Sequence, residues 1–439
     1  MHASRYNTLV ENGTETLIFN SASGAFGVLG ALAQRSYAEP RPHDGIAVQL
    51  AEAGFLTELT DEEELAQVRS SFEKEAADIA TLDLCIAPTY ACNFRCPYCY
   101  EQGHNAIGGV MGDDVIDAIC AFIEERYTAS PFVQMFVQWY GGDPSLALAS
   151  VEKLSQKLIA FCDEREILYS AMMLSNCNLI DASAVELLVR CRITEMFITV
   201  DGPEEIHNAR RVAADGSNSF QKQLEAARLC KRSGINVRAN MNLDKVNLQH
   251  YPEIAAFLEN ELEIELTTTM LCDYGHFYGT RKFKKPDFDL FTHEEYAHFS
   301  HDAFVKAGFT ARQLREIFYP ARRFCRGQRH AYYVIDVRGD VYKCDGYIGE
   351  QDHVMFNIFD DPDESSLHAI TFDATRDEKC SACCILPLCH GNCIWERRKT
   401  EMPCHPLKYT IADYLRDWRS CYGSCDDAFT LLAGPVMRA

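Results

Sequence analysis

Cys92, Cys96 and Cys99 stand in the run Ala91-Cys92-Asn93-Phe94-Arg95-Cys96-Pro97-Tyr98-Cys99-Tyr100, a C-x3-C-x2-C spacing that follows a short apolar segment, Leu82 to Ala87. Three thiols this close do not readily pair as disulfides, but three thiolates can cap one face of a cubane. A 4Fe–4S cluster ordinarily takes four cysteine thiolates. A set of three leaves one iron without a protein ligand, where a small chelator can bind and be reduced. A zinc knuckle is the competing reading, but zinc sites favour paired C-x2-C blocks with four ligands, which this run does not supply.

A second cysteine system lies far downstream. Thirteen residues separate Cys325 from Gly339 and four more separate Gly339 from Cys344; then come Cys380-x2-Cys383-x5-Cys389-x3-Cys393 and, last, Cys404. In a reducing cytosol, clustered cysteine reads as metal or cluster ligation, with a zinc ribbon as the alternative. The chain has 20 cysteines. The ten outside the two systems (Cys85, Cys120, Cys162, Cys177, Cys191, Cys230, Cys272, Cys384, Cys421 and Cys425) are mostly scattered and fit small buried core residues. Asp345 directly follows Cys344. A partly desolvated carboxylate beside a cluster has a raised pKa suited to taking a proton; a hydrogen bond that orients the cluster or backbone is the other reading.

Between the two systems, short runs carry small or polar residues. Gly141-Gly142-Asp143-Pro144 lets backbone approach a ligand closely, or is an ordinary tight turn. Ser175-Asn176 offers short polar side chains. Ile198-Thr199-Val200-Asp201-Gly202-Pro203-Glu204-Glu205-Ile206-His207-Asn208-Ala209-Arg210-Arg211 ends in two arginines, whose planar charged forks suit a carboxylate.

In this order, with Tyr98 at the aromatic position of C-x3-C-x-aromatic-C, the motifs resemble the radical S-adenosylmethionine (SAM) family. The spacing from Cys325 to Cys404 resembles that family's SPASM extension, found in the anaerobic sulfatase maturases and their peptide-modifying relatives; the likeness spans residues 82–404. It implies that SAM binds the open iron through its amino and carboxylate groups, and that its reductive cleavage supplies a 5′-deoxyadenosyl radical, the protein supplying aim. Gly141, Gly142 and Asp143 stand where the family has Gly-Gly-Glu-Pro, whose backbone holds the SAM amino group; Asp143 replaces the Glu. Ser175 and Asn176 match a Thr-Asn-Gly run that would hold the ribose, with Cys177 in place of the Gly. Thr199 would hydrogen-bond SAM and Arg211 would pair with its carboxylate, a role Arg210 next door can also take. His207 and Asn208 are expected to fix the loop.

The resemblance further implies two auxiliary clusters, three 4Fe–4S clusters in all. Cluster I would take Cys325, Cys344 and Cys393, and cluster II would take Cys380, Cys383, Cys389 and Cys404. The sulfatase maturases have a further cysteine between the first two, and this chain has none. Cluster I is therefore expected to keep an open iron for a substrate thiolate, unless Cys384, Cys421 or Cys425 fills it; Cys421 and Cys425 are also alternatives to Cys404. By the same likeness Asp345 matches a general base.

Composition narrows the rest. The chain has 439 residues and 47 % hydrophobic content, enough for two or three domains with large cores. A net charge of −22 argues against a nucleic-acid partner, since phosphate binding needs basic patches. No long apolar run or secretory segment is present, so a cytoplasmic, non-membrane protein is expected.

The elements that must position these groups follow from periodicity. From 81 to about 275, apolar strands (Leu82 to Ala87, Phe132 to Trp139, Leu168 to Leu174, Met196 to Val200, Val237 to Met241, Ile264 to Leu271) alternate with helices, which argues for a parallel sheet with helices outside. Six repeats fall short of a closed eight-stranded barrel and match the family's partial (β/α)6 barrel, an α/β fold. Residues 276–324 read as a connector carrying the basic run Arg281 to Lys285, 325–405 as the SPASM segment, and 406–439 as an amphipathic helix, Tyr409 to Trp418, packed on the barrel, followed by a tail without chemistry.

Residues 1–80 form a small α+β unit. Leu9 to Phe19 reads as a hairpin around Asn12-Gly13. Ser21 or Ser23 is expected to cap a helix carrying Phe26, Val28 and Leu29; a second helix follows Asp44, stopped by Gly54; Phe55 to Leu59 is a short strand; and Asp61 to Glu64 opens a third helix with Leu65, Val68, Phe72 and Ile79 on one face. The pattern resembles the winged-helix leader-recognition element of peptide-modifying enzymes, or is a packing extension. The expected activity is maturation of a ribosomally made precursor peptide bearing a leader, with a thioether bond as the favoured product, a carbon–carbon crosslink as its variant, and flavodoxin or ferredoxin as reductant. Formylglycine formation by a sulfatase-type maturase is the second reading, and a non-catalytic cluster protein the third.

Overall fold

The computed structural model describes residues 1–99, 101, 108–270, 288–318, 325–362, 364–367, 372–393, 404–423, 425 and 428–435. Cys272, the basic run Arg281 to Lys285 and the last four residues lie outside them.

The centre is a nine-stranded mixed sheet. Strands β6 (Thr81–Ile86), β7 (Gln134–Trp139), β8 (Leu168–Leu174), β9 (Ile193–Thr199), β10 (Asn236–Leu243) and β11 (Leu266–Met270) lie side by side in chain order, all parallel. These are the six expected strands, with ends shifted by a few residues. Burial alternates along β8 and β9, one face fully covered and the other half-buried. The short helix α7 (Glu204–Arg210) follows β9, and the covering helices are α4 (Asp113–Ala129), α5 (Leu148–Glu164), α6 (Ala182–Arg190), α8 (Ser219–Arg232) and α9 (Tyr251–Leu262). Each buries one stripe, such as Val151, Leu154, Leu158 and Cys162 on α5. Starts are set by caps: Asp181 accepts from the Ala184 N–H and Asn218 from the Gln221 N–H.

The sheet does not stop at β6. Strand β12 (Tyr332–Ile335) adds to its open edge in parallel, and β13 (Asp340–Tyr342) and β14 (Phe356–Asn357) continue antiparallel. The start of the second cysteine segment is thus part of the central sheet, sealed by Tyr90, Tyr332, Val334, Tyr342 and Tyr347.

The N-terminal unit has a four-stranded antiparallel sheet in the order β15 (Phe429–Ala433), β4 (Phe26–Leu29), β3 (Glu15–Asn20), β2 (Asn7–Asn12). The hairpin turns at Gly13, with φ +66°. Phe26 to Leu29 is a strand, not the expected helix. Ser23 caps no helix: its hydroxyl donates to the Ala53 carbonyl inside a turn. All four strand residues are buried, so no polar alternation marked the strand. Two-residue strands β1 (His2–Ala3) and β5 (Leu56–Thr57) pair with each other. Helices α1 (Ala31–Ala38), α2 (Gly45–Glu52, capped by Asp44) and α3 (Asp61–Ala76, with a Thr60–Glu63 capping box) complete the unit. Ile79 lies beyond α3.

Two further expectations change. Residues 288–318 hold two helices, α10 (His293–Ala307) and α11 (Ala311–Ile317). The C-terminal amphipathic helix, α12 (Leu407–Ser420), packs on the N-terminal sheet and these two helices rather than on the barrel. Trp418 stacks on Phe26 at 4.6 Å and on Phe318 at 5.3 Å, and Arg419 pairs with Glu15 at 2.8 Å. The tail then supplies β15, so the first 80 residues share their core with the last 30. Among the described residues no helix is long and apolar enough to cross a membrane.

Candidate functional site

A cavity of about 320 Å³ opens at the carboxyl ends of the parallel strands. Its wall includes Cys92, Cys96 and Cys99, and also Tyr98, Gly141, Gly142, Asp143, Ser175, Asn176, Thr199 and Arg211. Apart from Arg210, every residue expected from sequence to serve the first cluster or SAM reaches this one space, from four loops and the end of a strand.

The cysteine loop is held by backbone. Arg95 N–H donates to the Val212 carbonyl at 2.7 Å and Ala214 N–H to the Asn93 carbonyl at 2.8 Å, fixing the loop to the segment after Arg211. Burial pushes the Cys92 thiol up to about 12, with Asp143 adding to it; Cys96 and Cys99 are also raised, chiefly by burial. Such thiols stay protonated unless a metal holds them as thiolates. Among the described residues no three His, Cys, Asp or Glu side chains form a site for a single metal ion.

Gly141 and Gly142 are dictated by the same loop. Gly141 has φ +97°, and a Cβ there would lie 2.6 Å from the Thr89 carbonyl oxygen; at Gly142 it would lie 2.3 Å from that of Ala91. Gly142 N–H donates to the Thr89 carbonyl at 3.1 Å and Asp143 N–H to that of Ala91 at 2.9 Å. The Asp143 side chain is 1 % exposed. It accepts from Ser145 N–H at 2.9 Å, the Ser175 hydroxyl at 3.0 Å and Asn176 N–H at 2.7 Å, joining the loops after β7 and β8. Burial raises its pKa against these hydrogen bonds. Ser175 thereby spends its proton on Asp143 and accepts from Cys177 N–H at 2.9 Å, so it braces the loop. The Asn176 amide donates to Asn93 Oδ1 at 2.7 Å.

Opposite stands a network around Tyr98. Its hydroxyl donates to Asp201 and accepts from Arg211 at 2.9 Å and Asn242 at 3.2 Å. Burial works against the charge of Arg211, but Tyr98, Cys96 and Asp201 outweigh it and hold its pKa well above the usual value. Its Nε has no hydrogen-bond partner. Arg210 is committed elsewhere, to Asp244 at 3.1 Å and the Asn242 carbonyl at 3.0 Å; of the two arginines, Arg211 is the one in the cavity wall. Burial holds the His207 pKa well below its usual value, with Arg211 adding to it; Nδ1 accepts from Asp201 N–H. Asn208 accepts from Ser219 and Phe220.

The wall also holds Glu101, Asn240, Asn242 and Thr269, which the motifs did not single out. On β10 the two asparagines alternate with buried Ala239, Met241 and Leu243, and that period was the available signal. Glu101 has no local signature beyond following Cys99 by two. Burial, then Asp345, raises its pKa to about 8.

In the second cysteine system, burial raises Cys344, and Asp345, Cys393 and Cys325 add to it. A second neighbourhood forms around Lys408, beside Cys383, Cys404 and Cys384. Cys380 and Cys389 ride on short helical turns, Glu378–Ser381 and Leu386–Cys389. Cys384 Sγ lies 3.7 Å from Thr8 Oγ1 on β2. A hydrogen bond shared with Cys383 lowers Cys384 to about 6 and raises its partner. Cys421 is exposed at the end of α12. Asp345 opens a single turn, Asp345–Tyr347, with Cys344 Sγ at 3.7 Å from its carboxylate.

Comparison with known proteins agrees with this geometry. Residues 86–258 match the model of the Radical SAM superfamily. The chain is 24 % identical over 361 residues to a cysteine-type anaerobic sulfatase-maturating enzyme of Clostridium perfringens, covering 76 % of this chain and 94 % of that protein. It is 23 % identical over 172 residues to a serine-type enzyme of Bacteroides thetaiotaomicron, covering 36 % and 38 %. Among solved structures, native anSMEcpe with bound AdoMet and Cp18Cys peptide aligns at TM-score 0.59 and 19 % identity, over 77 % of this chain and 99 % of that one. Streptococcus suis SuiB bound to precursor peptide SuiA aligns at 0.51 and 16 %, over 92 % and 98 %. The fold is therefore the α/β fold of these enzymes.

Proposed function

We propose that this chain, an enzyme whose residues 86–258 are a Radical SAM domain, modifies a ribosomally made precursor peptide and most directly forms a thioether from a peptide cysteine. The observation that carries the reading is the convergence of Cys92, Cys96 and Cys99 with Gly141, Gly142 and Arg211 on one cavity. The residues fit the cofactors: three buried thiols that gain from metal, and a buried guanidinium whose Nε lacks a partner. A 4Fe–4S cluster with SAM bound there would supply a radical that removes a hydrogen from the substrate.

The chain's own groups do the placing. Arg211 takes the SAM carboxylate, its charge secured by Tyr98 and Asp201. The N–H groups of Gly142 and Asp143 are occupied, so the carbonyls of this turn are left to accept from the SAM amino group. Thr199 and Asn176 close the wall on the nucleoside side. Cys325, Cys344 and Cys393 would hold one auxiliary cluster, and Cys380, Cys383, Cys389 and Cys404 another, three clusters in all within a SPASM-like segment. The short set leaves a ligand position for a substrate thiolate, and Asp345 beside it takes a proton. Residues 1–80 act as a winged-helix-like leader-binding unit, with the open edge of β2 able to receive an extended leader. A flavodoxin or ferredoxin would serve as reductant in the cytoplasm.

The curated relatives favour a second reading, a sulfatase-type maturase that makes formylglycine, because the match spans 94 % of a sulfatase-maturating enzyme. Mass spectrometry of a Cys-containing peptide encoded beside this gene separates the two. A thioether removes two hydrogens and one alkylatable thiol; formylglycine introduces an aldehyde that hydrazide reagents trap.

A further inference from the structure

Two residues after Cys99, Glu101 is 6 % exposed and lines the cavity, and among the described residues its Oε1 has no hydrogen-bond partner. The charged group that bears on it is another acid, Asp345, which stands beside Cys344. Three cations of the described residues have partners of their own. Arg211 serves Tyr98, Arg326 serves Asp83 and Gln138, and Lys343 donates to the carbonyls of Arg329, His330 and Tyr332. A buried carboxyl left without a partner carries a desolvation cost that a ligand can relieve. The corner lies between the first cysteine set, through Cys99, and the second, through Cys344.

Resting on the reading of the chain as a peptide-modifying enzyme, we propose that Glu101 and Asp345 form a specificity corner that receives a basic side chain, Lys or Arg, of the peptide next to the residue attacked. Neither acid has to perform chemistry for this; the corner supplies opposite charge in a water-poor space, where a mismatched partner costs most.

The test is selection from a displayed library of peptides with one fixed cysteine and randomised flanks, on immobilised, reconstituted, SAM-loaded protein under anaerobic conditions. The wild type should enrich Lys or Arg at one fixed distance from the cysteine by roughly tenfold or more. Glu101→Gln should lose that bias, and Glu101→Lys should replace it with Asp or Glu at the same position. Enrichment without a basic bias, or a bias that survives Glu101→Gln, overturns the proposal. So does weakened SAM retention in Glu101→Gln with the bias intact, which would assign the carboxyl to the SAM sulfonium. If wild-type protein cleaves SAM but retains no peptide, the peptide-maturase reading itself fails and takes the corner with it.

Discussion

Arg211 donates to the Tyr98 hydroxyl at 2.9 Å, so the arginine that we propose binds the SAM carboxylate is oriented by the tyrosine inside the cysteine motif. The same hydroxyl donates to Asp201, which is fully buried. Tyr98→Phe removes both bonds, and the one from Asn242, and leaves a buried carboxylate short of a donor. The expected loss is about 1–3 kcal/mol of stability, read by urea melts of the cluster-free protein, together with weaker SAM retention after reconstitution. Unchanged SAM affinity would mean that Tyr98 does not orient Arg211.

Gly142→Ala should be worse than its size suggests. The new methyl would meet two backbone carbonyl oxygens, Ala91 at 2.3 Å and Tyr90 at 2.4 Å, and backbone cannot rotate aside as a side chain does. The cysteine loop must shift, at about 1–3 kcal/mol or more. The check is iron per protein after reconstitution, expected to fall by about one cluster's worth, four irons.

Trp418→Ala should loosen the N-terminal unit although it lies more than 300 residues away in sequence. Trp418 is fully buried between Phe26 and Phe318, and truncating such a side chain costs about 3–5 kcal/mol. Limited proteolysis should then cut within residues 1–80 first, whereas a helix packed on the barrel would expose the barrel instead.

His293 provides a pH signature of its own. Burial lowers its pKa from 6.5 to about 4. Between those values the unfolded chain binds the proton and the folded chain does not, so stability is lost as pH falls from 6.5 towards 4. The full effect is at most about 3 kcal/mol. His293→Gln should flatten this part of the stability profile relative to wild type, measured by urea melts at pH 7 and pH 5; parallel profiles would exclude it.

Much of the site was legible because its chemistry is local. Cys92 to Cys99 announces itself by spacing, Gly141-Gly142 and Arg211 only through the resemblance to the radical SAM family, and the β6–β11 strands by apolar runs separated by helical periods. What escaped depends on distant partners. Phe26 to Leu29 is covered on both faces and pairs with Phe429 to Ala433, so no alternation marked it as a strand. The pairing of β12 with β6 leaves no trace in either segment. Ser175 read as a ligand-facing hydroxyl, yet its proton goes to Asp143, a partner 32 residues away. Glu101 carries no motif of its own and matters only through where Asp345 comes to lie.

The most direct measurement is 5′-deoxyadenosine released from SAM by anaerobically reconstituted, dithionite-reduced protein, in the wild type and in Cys92→Ala, Cys96→Ala and Cys99→Ala. The account predicts release by the wild type and none by the three variants. Protein that binds zinc and releases nothing, or a variant that keeps full release, would contradict it.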